Sequence, residues 1–126
     1  MKFKGVGLGP NLDNVVVAVL TEQNCRSVDL TDELAGKLII CLGRVDPELT
    51  HKAMFLGIAG LVFGGIHYTD WKKLAASESS PTLLMLGRFG DEKPDQSITS
   101  QLLAMNKKTA TLRKETNNSY ELEINS

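Results

Sequence analysis

Four short stretches of this chain hold residue types that can do chemistry. His67 and Asp70 stand three residues apart, flanked by Tyr68 and Trp71, and offer the two functions of an acid–base pair. Gly64-Gly65 follows the apolar run Leu61-Val62-Phe63 and precedes a short helical stretch. Backbone N–H groups at such a junction can face an anion or a carboxylate. The same glycines also suit a tight turn at positive φ, or a close approach of two backbones. The G-x-G-x-x-G spacing and a long following helix are missing, which excludes a dinucleotide fingerprint. Arg88-Phe89 lies between Gly87 and Gly90, after the next apolar run. A cation and an aromatic beside a glycine turn make a small-ligand site, with an ordinary loop and a solvated Arg88 as the plainer alternative. The fourth stretch is Thr50-His51-Lys52-Ala53, near the start of a helix. Asp70 also reads as a helix cap and Trp71 as a core or interface aromatic. No third residue is placed to orient His67 and Asp70, and Ser27, Ser77 and Ser80 lack a nucleophile-elbow context. The catalytic residues are therefore left unassigned.

The elements that must position these residues follow from apolar runs and their punctuation. Residues 1–14 hold three glycines and a proline without a helical period, and read as a turn-rich lead-in with a possible edge strand. Val15 to Leu20 and Lys37 to Leu42 are continuous apolar runs, the pattern of strands covered on both faces. Asp46-Pro47-Glu48 supplies a cap, a proline at the first helical position and an acidic first turn. The helix runs on to Leu56 and stops at Gly57. With Leu61 to Phe63 this makes a strand–helix–strand core over residues 37–66, a parallel pair with a right-handed crossover. The rhythm repeats: Thr69 or Asp70 caps a helix to Ala76, Thr82 to Leu86 is a strand, and a helix spans about Asp95 to Met105. Arg26 to Leu30 is a further short strand. The chain closes with alternating Thr109–Arg113 and Tyr120–Ile124 around Asn117-Asn118-Ser119, a C-terminal β-hairpin with one wet face and an edge open to a partner. In a parallel sheet the Gly64-Gly65 and Gly87–Gly90 loops open on one edge, which groups Gly64, Gly65, His67, Arg88 and Phe89.

Composition bounds the rest. The 126 residues are 42% hydrophobic, enough for one α/β domain over 1–126 and no second core. Fourteen basic residues against fifteen acidic ones leave a formal charge of −1, which gives no electrostatic case for nucleic acid or an anionic membrane. The longest β-branched run, Val15 to Leu20, is far shorter than the ~20 residues of a membrane span. Cys25 and Cys41 stand isolated. They suggest neither a disulfide framework nor zinc spacing, and Cys41 reads as a buried inert thiol. A cytoplasmic location, with no cofactor and no metal, is the default expectation.

Gly36-Lys37 with its apolar strand, Lys52-Ala53, Gly57, Gly60 and Pro81 before the next strand resemble the core of protease-associated domains. That resemblance implies a swivelling β/β/α-like sheet with short flanking helices, and a role as a lid or partner-binding insert. From Gly60 to about Arg113, Gly60-Leu61-Val62-Phe63-Gly64-Gly65-Ile66 and Gly87-Arg88-Phe89-Gly90 are similar to an uncharacterised prokaryotic family that pairs a G-I-V-x-G-G-I turn with a downstream G-F-G. Thr50-His51-Lys52-Ala53 resembles the Thr/Ser-His-x-Ala of phosphohistidine-carrying domains, which implies His51 as a phosphoacceptor. The expectation is a non-enzymatic binding or protein-interaction module, with a protein partner or a homo-oligomer and a possible small anionic ligand. The alternative is a phosphocarrier or small-molecule enzyme that uses the glycine-loop edge with His51 or His67.

Overall fold

The computed structural model describes residues 2–21, 30–45, 47–76, 82–86, 96–116 and 118–124. Seven strands are present among them: β1 (Lys2–Leu8), β2 (Leu12–Thr21), β3 (Leu38–Arg44), β4 (Gly60–Gly65), β5 (Thr82–Met85), β6 (Thr109–Lys114) and β7 (Ser119–Ile124). Three helices accompany them: α1 (Pro47–Leu56), α2 (Tyr68–Ala75) and α3 (Gln96–Leu103), with a 3-10 turn at Asp32–Leu34.

The strands close into a barrel in the order β1-β5-β4-β3-β2-β6-β7. Strands β2 to β5 pair in parallel and the remaining contacts are antiparallel. This corrects the expected α/β fold class, a swivelling β/β/α-like sheet with a free edge. The molecule is mainly β, and the closing hairpin has no open edge. β6 pairs with β2, and β7 pairs with β1 from Lys2↔Glu123 to Val6↔Ser119.

The source of the difference is β1. Its glycines suggest turns, but they mark close packing. A Cβ on Gly5 would sit 2.3 Å from the Met85 carbonyl oxygen, and one on Gly7 would sit 2.5 Å from the Tyr120 ring. Only a strand without side chains at those positions fits between β5 and β7, and that strand closes the barrel. Closure removes the unpaired edges that would otherwise invite association.

Strand alternation splits the core into two layers. Leu38, Ile40 and Leu42 of β3, Val62 of β4 and Leu84 of β5 face inward. There they join Phe3, Val17, Ala110, Leu112, Tyr120, Leu122 and Ile124, with Leu102 and Met105 from α3 and its following turn. Side chains fill this interior, as expected in a barrel of so few strands. Ile39, Cys41, Leu61, Phe63, Leu83 and Met85 face outward and are covered by Leu49 and Ala53 of α1 and by Trp71 and Leu74 of α2. The Phe63 and Trp71 rings meet edge-on, with centroids 6.4 Å apart, a favoured aromatic geometry. Burial on both faces is why these parallel strands read as unbroken apolar runs.

The strand–helix–strand unit has the local chemistry its residues suggest. Pro47 opens α1, where its missing N–H costs nothing. Gly57 ends it at φ +74. Its N–H donates to the Met54 carbonyl, and the Ile58 N–H donates back to Ala53, the paired bonds of a Schellman stop. Asp46, the expected cap, lies outside the described residues. β3 and β4 then run parallel in register Leu38↔Gly60 through Cys41↔Phe63.

Candidate functional site

α1 and α2 lie over the parallel wall, and a cleft between them holds titratable groups from both helices. Pro47, Thr50, His51 and Met54 line it from α1, and Asp70, Lys73 and Leu74 from α2. Helical spacing explains the lining. On α1 the positions i, i+3, i+4 and i+7 from Pro47 share one flank. Thr50 is buried at the floor, its hydroxyl donating to the Pro47 carbonyl at 2.9 Å. On α2, Leu74 is buried and Asp70 half-buried, while Lys73 reaches solvent. The cleft holds about 100 Å³, room for one medium apolar side chain and well below the ~300 Å³ of ordinary small-molecule sites.

Beside the cleft, α1 exposes apolar surface. Phe55 is 87% exposed and Met54 39%. The buried stripe of α1 is Leu49, Thr50 and Ala53, which turns Phe55 toward solvent, one turn beyond the exposed His51. Tyr68 at the start of α2 is also exposed, with the Lys72 ammonium 5.6 Å from its ring centroid.

The structure distributes the sequence-derived candidates rather than gathering them. His51 lines the cleft with Asp70. His67 is exposed at the N-cap position of α2 in extended conformation, its carbonyl accepting from the Trp71 N–H at 3.0 Å; it is not among the cleft residues. The cap thus lies two or three residues before the expected Thr69 or Asp70, and Asp70 sits inside the first turn. Gly64 and Gly65 are buried as the last two residues of β4, and the Gly65 carbonyl accepts from the Val45 N–H at 3.0 Å. Neither has positive φ; the described glycines that do are Gly9, Gly36 and Gly57. Arg88 and Phe89, with their flanking glycines, lie outside the described residues, as do Cys25, Ser27, Ser77 and Ser80 and most of the stretch Arg26 to Leu30. Cys41 is fully buried as expected, but it is disulfide-bonded and not a thiol.

A second depression lies where β1 meets the β6–β7 turn. It is broad and shallow, holds about 560 Å³ and is lined by Lys4, Gly5, Val6, Thr116, Asn118 and Ser119. Its one charge, Lys4, is engaged by Glu115 at 3.5 Å and Glu121 at 4.0 Å, so it offers no unmatched cation to an anion. Among the described residues no three metal-ligating side chains cluster, and no buried side-chain nitrogen or oxygen lacks a hydrogen-bond partner. No described helix is long and apolar enough to cross a membrane.

Phe55 is the feature that sequence reasoning missed. Met54, Phe55 and Leu56 all fit an apolar helix side when only spacings of three or four are checked. The available signal was width: with Leu49 and Ala53 fixing the buried stripe, Phe55 falls on the opposite side. With this geometry in place, comparison of the chain with protein-family models, curated proteins and solved structures finds no match.

Proposed function

We propose that the chain is a non-enzymatic protein-interaction module whose docking face is α1 with the adjoining flank of α2, and whose occupant is a second copy of itself. The observation that carries this reading is Phe55, 87% exposed on a helix that is otherwise firmly seated. Burying such a side chain is worth about 2–3 kcal/mol, and an aromatic anchor beside a small pocket is the usual nucleus of an interface. The knob, Phe55 on α1, lies beside the hole, the cleft between α1 and α2. Two-fold pairing needs that arrangement, because one contact then seats each Phe55 against the other copy's cleft. Asp70 and Lys73 bring both charge signs to the cleft, so two copies can oppose unlike charges there.

Sedimentation equilibrium at rising concentration tests it. The expected result is a monomer–dimer equilibrium that Phe55→Glu shifts to monomer without lowering the melting temperature. A strictly monomeric wild-type chain at high micromolar concentration rejects the self-association reading.

A second reading rests on His51 and Lys73 lining the same cleft: His51 accepts a phosphoryl group and Lys73 supplies the counter-charge. It requires phosphohistidine after incubation with a phosphoenolpyruvate-dependent donor, lost in His51→Ala. An unlabelled wild-type chain rejects it.

A further inference from the structure

We propose that β1 is an exchangeable strand: the gap between β5 and β7 that it fills also takes β1 of a second copy, so that two chains join by trading their closing strands. β1 reaches β7 through Lys2↔Glu123 to Val6↔Ser119, and β5 through Val6↔Met85, Gly7↔Leu84 and Leu8↔Leu83. On its inward side a single large side chain, Phe3, is buried and is followed by Gly5 and Gly7, where β7 supplies Tyr120, Leu122 and Ile124. On its outward side Lys2, Lys4 and Val6 are all exposed. A strand with so few buried apolar contacts opens ahead of the rest of its domain.

The connector behind β1 is fastened to other strands. The Tyr120 hydroxyl donates to the Gly9 carbonyl, and the Thr82 hydroxyl donates to the Pro10 carbonyl at 2.7 Å. The Lys114 N–H donates to the Asn11 side-chain oxygen at 2.9 Å. Strands β7, β5 and β6 thus hold residues 9–11 without help from β1. Gly9, at φ +98, provides a pivot on the β1 side of these fastenings. When β1 swings out there, β2 to β7 stay assembled and the edges of β5 and β7 are bared. Bared edges of this kind take up an extended strand.

The shape of the gap decides which strand enters. A Cβ in place of Gly5 would sit 2.3 Å from the Met85 carbonyl oxygen, and one in place of Gly7 would sit 2.5 Å from the Tyr120 ring. Side chains at those two positions are therefore rejected. The Gly-x-Gly pattern occurs in β1 and in no other described strand. The strand of this chain that fits an open gap is thus another copy's β1, which brings Phe3 to the same interior and Lys2 and Lys4 to the same Glu121 and Glu123. A traded strand re-forms every hydrogen bond of the closed barrel, the usual condition for swapping between identical chains. Exchange changes which copy supplies β1 and leaves the protection of the strands as it was.

The test mixes equal amounts of light and isotopically heavy chains and incubates them in denaturant below the melting transition, with Trp71 fluorescence still native. A carbodiimide then joins Lys2 or Lys4 to Glu121 or Glu123, whose charged groups lie 3.7 to 4.0 Å apart. Each cross-linked peptide pair shows whether β1 and β7 came from one copy. Pairs with one light and one heavy half are expected, rising with time towards about half of all pairs at complete exchange. They persist in Phe55→Glu. An excess of a peptide with the sequence of residues 2–8 suppresses them, and the same peptide with Gly5→Val and Gly7→Val does not. Unmixed pairs alone, mixed pairs that vanish in Phe55→Glu, or equal effects of the two peptides overturn the proposal. Exchange uses no residue of α1, so this test and that of the docking face fail independently.

Discussion

The parallel and antiparallel walls of the barrel share one interior and differ in everything outside it. Along β3, β4 and β5, outward residues such as Ile39, Cys41, Phe63 and Leu83 lie under α1 and α2, buried as deeply as their inward neighbours. Along β1, β6 and β7 the outward positions include Lys2, Lys4, Val6, Thr111, Arg113, Glu121 and Glu123. Lys4 stands opposite Glu121, and Glu121 opposite Arg113. Lys2 approaches Glu121 and Glu123 at 3.7 and 3.8 Å. One wall is covered by helices that carry surplus apolar surface outward through Met54 and Phe55. The other is mostly a charge ladder whose signs largely match within the wall. Stability is therefore shared by both walls, while the proposed docking face draws on one of them.

Perturbations of each wall test that division. The largest effect belongs to the covered wall: Trp71→Ala removes the ring packed on Phe63 and should cost about 3–5 kcal/mol in chemical denaturation. A loss below about 1 kcal/mol would mean that α2 is not part of the core. Next comes Gly5→Ala on the antiparallel wall. Its new methyl would meet the Met85 carbonyl oxygen, a backbone atom that cannot swing aside, so about 2–3 kcal/mol of destabilisation is expected. Near-neutrality would show that β1 does not close the barrel as tightly as described.

Smaller effects separate the inward and outward sides of the antiparallel wall. The Tyr120 hydroxyl donates to the Gly9 carbonyl, and burial raises its pKa above the ordinary 10.0. The folded chain thus holds this proton more tightly than the unfolded chain. The associated stability is complete below about pH 10 and is lost as the pH rises through the folded value. Tyr120→Phe should cost about 1 kcal/mol at neutral pH and flatten the decline above pH 10; an unchanged alkaline decline would assign it to other groups. The smallest effect is Lys4→Ala, outward and 66% exposed, with a change within about 0.5 kcal/mol that shrinks further in salt.

The same contrast governs what could be read from the sequence. The covered wall announces itself in Leu38 to Leu42 and Leu61 to Phe63, and Pro47 and Gly57 bracket α1 through local backbone chemistry. The antiparallel hairpin also shows in its alternation, from Thr109 to Arg113 and from Tyr120 to Ile124. Closure does not show, because it depends on β1 meeting β5 and β7 across most of the chain, and Gly5 and Gly7 carry the same letters as turn glycines. Of the candidate site, His51 and Asp70 were visible singly. Their meeting in one cleft required the crossing of α1 and α2, and the outward phase of Phe55 required knowing which stripe of α1 is buried.

Hydrogen–deuterium exchange of the wild-type chain, compared between dilute and concentrated solution, tests the division of labour most directly. Concentration is expected to slow exchange in α1 and the adjoining flank of α2, while β1, β6 and β7 exchange unchanged. Protection that appears instead along β1, β6 and β7, with α1 unaffected, would contradict it.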